Sequence, residues 1–263
     1  MPYTISHAAV VLPFSRLLVR WRLLSAVVVG AMVPDFGLFL PWRIQRFETH
    51  SAWALLAFCL PVGLAGYWTF QYVIKTPLLE VLPEGAYARW RPFSSPADFF
   101  SIRQWLLAAV GVLAGAVSHL VWDAFTHETG RGVRMIPWLE DPVMDIGSHH
   151  LIAFRLLQDG SSLVGLAIVL VFVCYGLRRG REFPVPSRPL RLEERRVWAL
   201  TYAAGALALS AAWLLWARAG EPAPHSYKAF ANGIAVAALR GLATAFLATS
   251  LALRWRLRAL RSL

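Results

Sequence analysis

The sequence predicts an all-α fold: a polytopic transmembrane helical bundle of about six to seven membrane helices. Three observations carry that reading. Of 263 residues, 57% are hydrophobic and 16% charged, against roughly 25% charged in soluble domains, and mean hydropathy is +0.52. The apolar residues fall into seven stretches separated by polar breaks. The 26 Lys and Arg exceed the 15 Asp and Glu, for a net charge of +11, yet they flank the apolar stretches and form no single face. That distribution reads as membrane topology, and no nucleic-acid partner is predicted.

The stretches differ in quality as candidate spans, since crossing a bilayer takes about 20 apolar residues. Ala8–Val19 is short and would have to tilt, whereas Leu23–Leu40 is long enough but interrupted by Pro34. Ala52–Ile74 and Trp105–Phe125 are long and almost free of charge. Leu163–Leu177 is short unless it extends back to about Leu151, and Val197–Ala217 and Phe230–Leu253 are full length. Twelve tryptophans suit an interfacial aromatic belt. Cys59 and Cys174 sit inside apolar runs, which implies neither a disulfide nor a thiolate metal site. The opening Met1-Pro2-Tyr3-Thr4-Ile5-Ser6-His7 lacks the basic region of a cleavable signal.

The Arg/Pro-rich segment 178–196 divides the chain into a histidine-bearing part, 1–177, and a plain two-helix part, 197–263. Six of the seven histidines lie in the first 150 residues. Alternating the loops across the membrane gathers 18 of the 26 basic residues on one face, in the groups Arg16/Arg20/Arg22, Lys75–Arg103, Arg178–Arg196 and Arg254–Arg261. The positive-inside rule makes that face cytoplasmic, with the N-terminus outside and the C-terminus inside; 178–196 is then a basic cytoplasmic linker.

Ionisable groups in apolar segments are costly, and here they agree in depth. At 1.5 Å per helical residue, Asp35 stands ~20 Å from Arg22, and His119 and Asp123 stand ~24 and ~30 Å from Arg103. With His7, His50 and His127 they form one band at the outer part of the bilayer. In His119-Leu-Val-Trp-Asp123-Ala-Phe-Thr-His127 the spacing of four puts three potential ligands on one helix stripe. Two imidazoles and a carboxylate suit zinc or a similar divalent ion. Gly111 and Gly115 continue the stripe and would admit a close helix neighbour. Pro34 breaks the helix before Asp35. Glu48-Thr49-His50-Ser51 opens the third stretch. His149 and His150 follow an acidic loop containing Trp138, Glu140, Asp141 and Asp145; a second ion site is one reading and a solvated loop the other. Gln158-Asp159-Gly160-Ser161-Ser162 is a polar break whose Gln158, Ser161 and Ser162 would hydrogen-bond to ligands. His225 lies in a Pro-rich loop and reads as inert. Each polar residue has a plainer reading. Asp35, Thr49 or Ser51 would cap a helix, and His50 and His127 would sit where helix ends meet water.

Together, Met1-Pro2-Tyr3-Thr4-Ile5-Ser6-His7, Val33-Pro34-Asp35-Phe36, Thr49-His50-Ser51 and His119-Leu-Val-Trp-Asp123 resemble a prokaryotic family of uncharacterised integral membrane proteins. That family is similar to the membrane-bound metal-dependent hydrolases, remote relatives of zinc-dependent phospholipase C and the single-strand nucleases. The resemblance covers about residues 1–165. It implies a prokaryotic inner-membrane protein with a multinuclear metal site acting on phosphoester bonds. It makes His7, His50, His119 and Asp123 ligands, with Asp123 bridging. Asp35 becomes a ligand or the catalytic base that orients water, and His127 the ligand of another ion. Two positions depart from the pattern of the soluble relatives. Six residues precede His7, where those relatives use an N-terminal amine. Ala153 and Phe154 stand four residues after His149 and His150, where they carry a Glu.

The expected function is therefore a membrane-embedded, metal-dependent hydrolase of phosphoester, including phospholipid, substrates. Its cofactor would be a divalent metal, zinc first, and its site would lie at the outer face of the lipid bilayer. Two alternatives stay open: a metal-binding protein or transporter without hydrolysis, and a structural membrane protein. Transport predicts polar residues through both halves of the membrane, and the inner halves here are nearly featureless.

Overall fold

The computed structural model describes residues 4–39, 44–90, 97, 99–146, 149–179, 183, 188–219 and 227–261. The fold is an all-α helical bundle, and among the described residues it has one small hairpin and five helices long and apolar enough to cross a membrane. The chain opens with short turns of 3-10 helix, Thr4–Val10 and Leu12–Phe14, followed by α1 (Ser15–Arg20) and α2 (Leu24–Gly30). A further 3-10 segment, Val33–Phe39, precedes α3 (Arg46–His50). The long helix α4 runs Leu55–Glu80 and is followed by α5 (Glu84–Trp90), α6 (Ile102–Thr126) and α7 (Arg131–Met135). Strands β1 (Pro142–Ile146) and β2 (His149–Ile152) pair antiparallel, Asp145 opposite His150. Three long helices close the chain: α8 (Ala153–Arg179), α9 (Leu192–Arg218) and α10 (Tyr227–Arg261).

Among the described residues five helices qualify as candidate spans, against about six to seven expected, and the first two apolar stretches do not form continuous helices. Pro13 and Pro34 each remove a backbone donor, and at Arg22 the backbone turns left-handed with φ 58° between α1 and α2. The segment's small residues are buried by protein: Ala26, Ala31 and Val33 are fully covered. The fifth span does reach back, starting at Ala153, and it runs through Gln158–Ser162, which is helical. Helix α4 widens into π-type turns at Leu55–Cys59 and Thr69–Ile74. Each lies just before a proline, Pro61 or Pro77, whose ring cannot join the regular ladder.

Two compact units emerge. The first comprises residues 1–37, 44–67 and 98–175, the second 38–43, 68–97 and 176–263. In the first, α2 lies against α6 at backbone contact. A Cβ on Gly30 would fall 2.2 Å from the Val112 carbonyl oxygen, and one on Gly115 would fall 2.2 Å from that of Val27. Only glycine permits this approach. Val33, Cys59 and Ala116 form the adjoining core. Below the C-terminal end of α6, Val133, Leu139, Ala153 and Phe154 pack together and hold the hairpin region in place.

In the second unit, α9 and α10 pack antiparallel. The Tyr202 hydroxyl bonds the Ser250 hydroxyl at 2.8 Å, and Gly241 meets the backbone of Ser210. Leu190, Tyr202, Leu253 and Leu257 form its core. Arg188 is folded inward, 4.0 Å over the Tyr87 ring and 3.6 Å from the Glu80 carboxylate.

Candidate metal centre

Several pieces of structure converge near the C-terminal end of α6, their side chains placed by hydrogen bonds or ring stacking. Ser101 starts α6 by accepting from the Gln104 amide, and the stripe His119–Asp123 then falls in its last two turns, both residues buried. His119 Nδ1 donates to the Ala31 carbonyl at 2.8 Å, a bond made possible by the α2–α6 backbone contact. In α3, the Glu48 carboxylate accepts from the Gln45 amide and closes the first turn. Thr49 donates its hydroxyl to the Arg46 carbonyl at 3.2 Å and accepts from His50 Nδ1 at 2.7 Å. Ser51 caps the start of α4 by accepting from the Ala54 amide, so the cap is Ser51 and His50 is free to turn inward. Pro34 ends the regular helix, and Asp35 uses its side chain away from its own turn: Oδ2 accepts from the Thr4 hydroxyl at 2.9 Å. His7 stacks on His119 with ring centroids 3.7 Å apart.

These anchors leave the other ring nitrogens facing two carboxylates. His50 Nε2 lies 3.4 Å from Asp35 Oδ1 and 3.5 Å from Asp123 Oδ2. His119 Nε2 lies 3.7 and 3.5 Å from the same two oxygens. His7 Nε2 is 3.6 Å from Asp123 Oδ1. None of these is a hydrogen bond by length. Among the described residues, His7 Nε2, His50 Nε2, His119 Nε2 and Asp123 Oδ1 are buried without any hydrogen-bond partner. A buried polar atom left alone costs about 1–3 kcal/mol. By contrast, two ligands at about 2.0–2.1 Å from one ion in a tetrahedron stand ~3.3–3.4 Å apart. The donor set thus fits a divalent cation better than it fits itself.

Among the described residues two triads satisfy a ligand spacing within 4.8 Å: His7, His119 and Asp123, and Asp35, His50 and His119. They share His119, whose Nδ1 proton is committed to Ala31. A single Nε2 lone pair serves one ion, so the triads are two halves of one site with up to five donors.

His127 stands apart from this set. α6 ends at Thr126, and His127 has extended backbone, φ −122°. Its Nδ1 lies 3.3 Å from the Asp123 carbonyl and 3.5 Å from Asp123 Oδ1, and its Nε2 lies 3.1 Å from the Gln158 amide nitrogen. With Gln158 donating to Nε2, the Nδ1 proton goes to Asp123, and both nitrogens are engaged. Ser162 and Ser161 donate to the Gln158 carbonyl at 2.6 and 3.2 Å, locking that turn of α8. They therefore reach the centre only through Gln158 and His127. Burial pushes the imidazole of His127 down to about 4. Burial, then the stacked His119, does the same to His7, also to about 4.

His150, on β2, is exposed, and so is Trp138. The side chains of Asp145 and His149, and all of His225, lie outside the described residues. Two contributors were not singled out from sequence. Arg46 pairs with Asp123 Oδ2, and Thr4 holds Asp35. Arg46 stands one helical turn before His50, the spacing at which a shared site was legible.

The centre opens onto a cleft of about 470 Å³. His50, Asp123 and His127 form its floor, Arg46 and Arg131 its polar rim, and Leu55, Val117, Leu120 and Val121 its apolar wall. Chemically, the arrangement offers neutral imidazoles and two carboxylates to a cation, and two guanidinium groups to an anion beside it.

No curated protein and no solved structure matches the chain. A family model does, over residues 1–251, and by that match this helical, His/Asp-bearing membrane chain belongs to the family described as Domain of unknown function (DUF4184).

Proposed function

We propose that the protein is a membrane-embedded, metal-dependent hydrolase of phosphoester substrates, phospholipids included, with its site at the outer face of a prokaryotic inner membrane. One observation carries the reading. Three buried imidazole nitrogens without hydrogen-bond partners stand 3.4–3.7 Å from carboxylate oxygens of Asp35 and Asp123, spacings suited to one cation. His7, His50, His119 and Asp123 would hold it, with Asp35 kept as the base, and zinc suits the nitrogen-rich set. The resemblance to membrane-bound metal-dependent hydrolases supports the same assignment.

When bound, a divalent ion of this kind supplies Lewis acidity to a phosphoryl oxygen and a water acidic enough to attack near neutral pH. The chain's own residues do the rest. Arg46 and Arg131 bind the phosphate's free oxygens at the cleft rim and orient the ester. Asp35, with Oδ2 fixed by Thr4, presents Oδ1 toward the site, where it takes the proton of the attacking water. Water's oxygen bonds to phosphorus, the ester oxygen leaves, and the proton returns to it. Leu55, Val117 and Val121 line the side by which an acyl chain remains in the bilayer.

The test is metal analysis of the purified protein alongside Asp123→Ala and His119→Ala. We expect substantially less bound metal in both variants. Equal metal content, or none in the wild type, would sink the metal centre. Hydrolysis of a chromogenic phosphodiester and a labelled phospholipid then follows. Full occupancy without turnover would favour a metal-binding protein that does not hydrolyse. A cysteine introduced near His127 should label from outside, with the N-terminus outside and the C-terminus cytoplasmic.

A further inference from the structure

A second polar cleft, of about 360 Å³, opens at the other end of α6. Sixteen residues separate Arg103 from His119, ~24 Å along a helix, so this cleft lies most of a bilayer's hydrocarbon thickness from the metal centre. Arg20, Arg22 and Arg103 line it with Ser101 and Trp21, and no acidic side chain is among the described lining residues. Among the described residues, none of the three guanidinium groups is paired with a carboxylate. Gln104, also in the lining, is buried and donates to the Tyr67 hydroxyl at 3.1 Å. That leaves three cations around the positive end of a 25-residue helix.

The backbone here is a C-terminal helix cap. Arg22 adopts φ 58° at the position just beyond the C-cap of α1, the left-handed turn of a Schellman cap. Here the Leu23 amide donates to Leu18 at 2.7 Å and the Arg22 amide to Val19 at 3.0 Å. The turn places Arg20 and Arg22 on the same cleft from either side of Trp21. Around it the surface is apolar and exposed: Leu17, Trp21, Ile102 and Leu106 are each at least half accessible. A free anion has no use for that apolar collar, whereas a lipid does.

We infer that this cleft binds the phosphate-bearing head group of an anionic phospholipid, its acyl chains lying along the apolar collar. The inference does not depend on the metal centre. The full chain, purified in neutral detergent, is offered phosphatidylglycerol and phosphatidylcholine at equal mole fraction, and retained lipid is counted by native mass spectrometry. The wild type should retain phosphatidylglycerol preferentially, and R20Q/R22Q/R103Q should lose that preference by about fivefold per arginine. R178Q/R196Q/R256Q removes the same charge from exposed positions outside the cleft and should keep the preference. If the cleft triple variant does not fold, R103Q alone, at the exposed helix start, should show the single-arginine loss. Preference surviving in the cleft variants, or lost equally in both triples, overturns the assignment. So does complete displacement of the lipid by millimolar inorganic phosphate, which would mark a site for the free anion.

Discussion

The Nδ1 proton of His119 is donated to the main-chain carbonyl of Ala31, 2.8 Å away. A carbonyl only accepts, so this bond places the proton of the neutral ring on Nδ1 and aims Nε2 at Asp35 and Asp123. The bond exists because α2 and α6 touch backbone to backbone at Gly30 and Gly115. The electronic state of the central imidazole therefore depends on glycines that approach no ligand.

Gly115→Val should separate the helices and disable the centre from a distance. A Cβ there would stand 2.2 Å from the Val27 oxygen and 2.5 Å from the Ala31 nitrogen, both backbone atoms that cannot swing aside. We expect a stability loss of about 1–3 kcal/mol, read as a lower thermal midpoint, together with reduced bound metal. Gly160→Ala is the control, since nothing lies within 4 Å of its added carbon. It should keep metal and gain about 0.5–1 kcal/mol from helix propensity. Normal metal content in Gly115→Val would refute the coupling.

His127 and Gln158 separate a ligand from a residue that only orients one. Both nitrogens of His127 are engaged, by Asp123 and Gln158, so its loss should loosen Asp123 and remove no donor. His127→Gln and Gln158→Ala should each bind metal about 10–100-fold more weakly, yet saturate at one ion per chain. His119→Gln should not saturate at all. The check is titration of ion-free protein with zinc. A lower stoichiometry in His127→Gln would make His127 a ligand.

Much of this was legible in the residues, and what was missed has physical causes. The spacing of four in His119, Asp123 and His127 placed the first two on one inward face. The helix ends one residue before His127, a boundary that spacing does not reveal, yet His127 Nδ1 still lies 3.5 Å from Asp123 Oδ1. Gly111 and Gly115 announced a close neighbour, though not that it would be α2. The first two apolar stretches read as spans because hydropathy does not distinguish burial in protein from burial in lipid. Ala26, Gly30 and Ala31 are the small residues of a protein-facing surface. Arg46 carried only a topological meaning in the sequence, because its pairing with Asp123 joins residues 77 apart.

Acid should destabilise the ion-free protein over a defined window. His7 and His127 are held down to about 4, mainly by burial, against an ordinary 6.5 in the unfolded chain. Between those values the unfolded chain binds more protons than the folded one. The contribution to stability is thus complete above about pH 6.5 and is lost as pH falls towards 4. Thermal midpoints of chelator-treated protein should drop across this range, and less steeply in His127→Gln. Equal slopes in the two proteins would remove His127 from the account.

Arg46 touches both halves of the proposed chemistry, and the two effects of removing it differ in sign. Its guanidinium pairs with Asp123 and, about one-third exposed, lines the cleft rim with Arg131. Taking a cation from beside Asp123 leaves that carboxylate more available to a bound ion, so Arg46→Gln should hold metal as well as the wild type or better. The same change removes a donor fork from the substrate's phosphate. A charge-assisted bond is worth about 1.5–3 kcal/mol, so KM for a phosphodiester should rise on the order of 10- to 100-fold, with kcat changed less. Arg46→Lys restores the charge without the planar fork and should fall between. Steady-state kinetics with parallel metal analysis reads both effects at once. Metal lost from Arg46→Gln would instead show that Arg46 serves only to keep Asp123 in position.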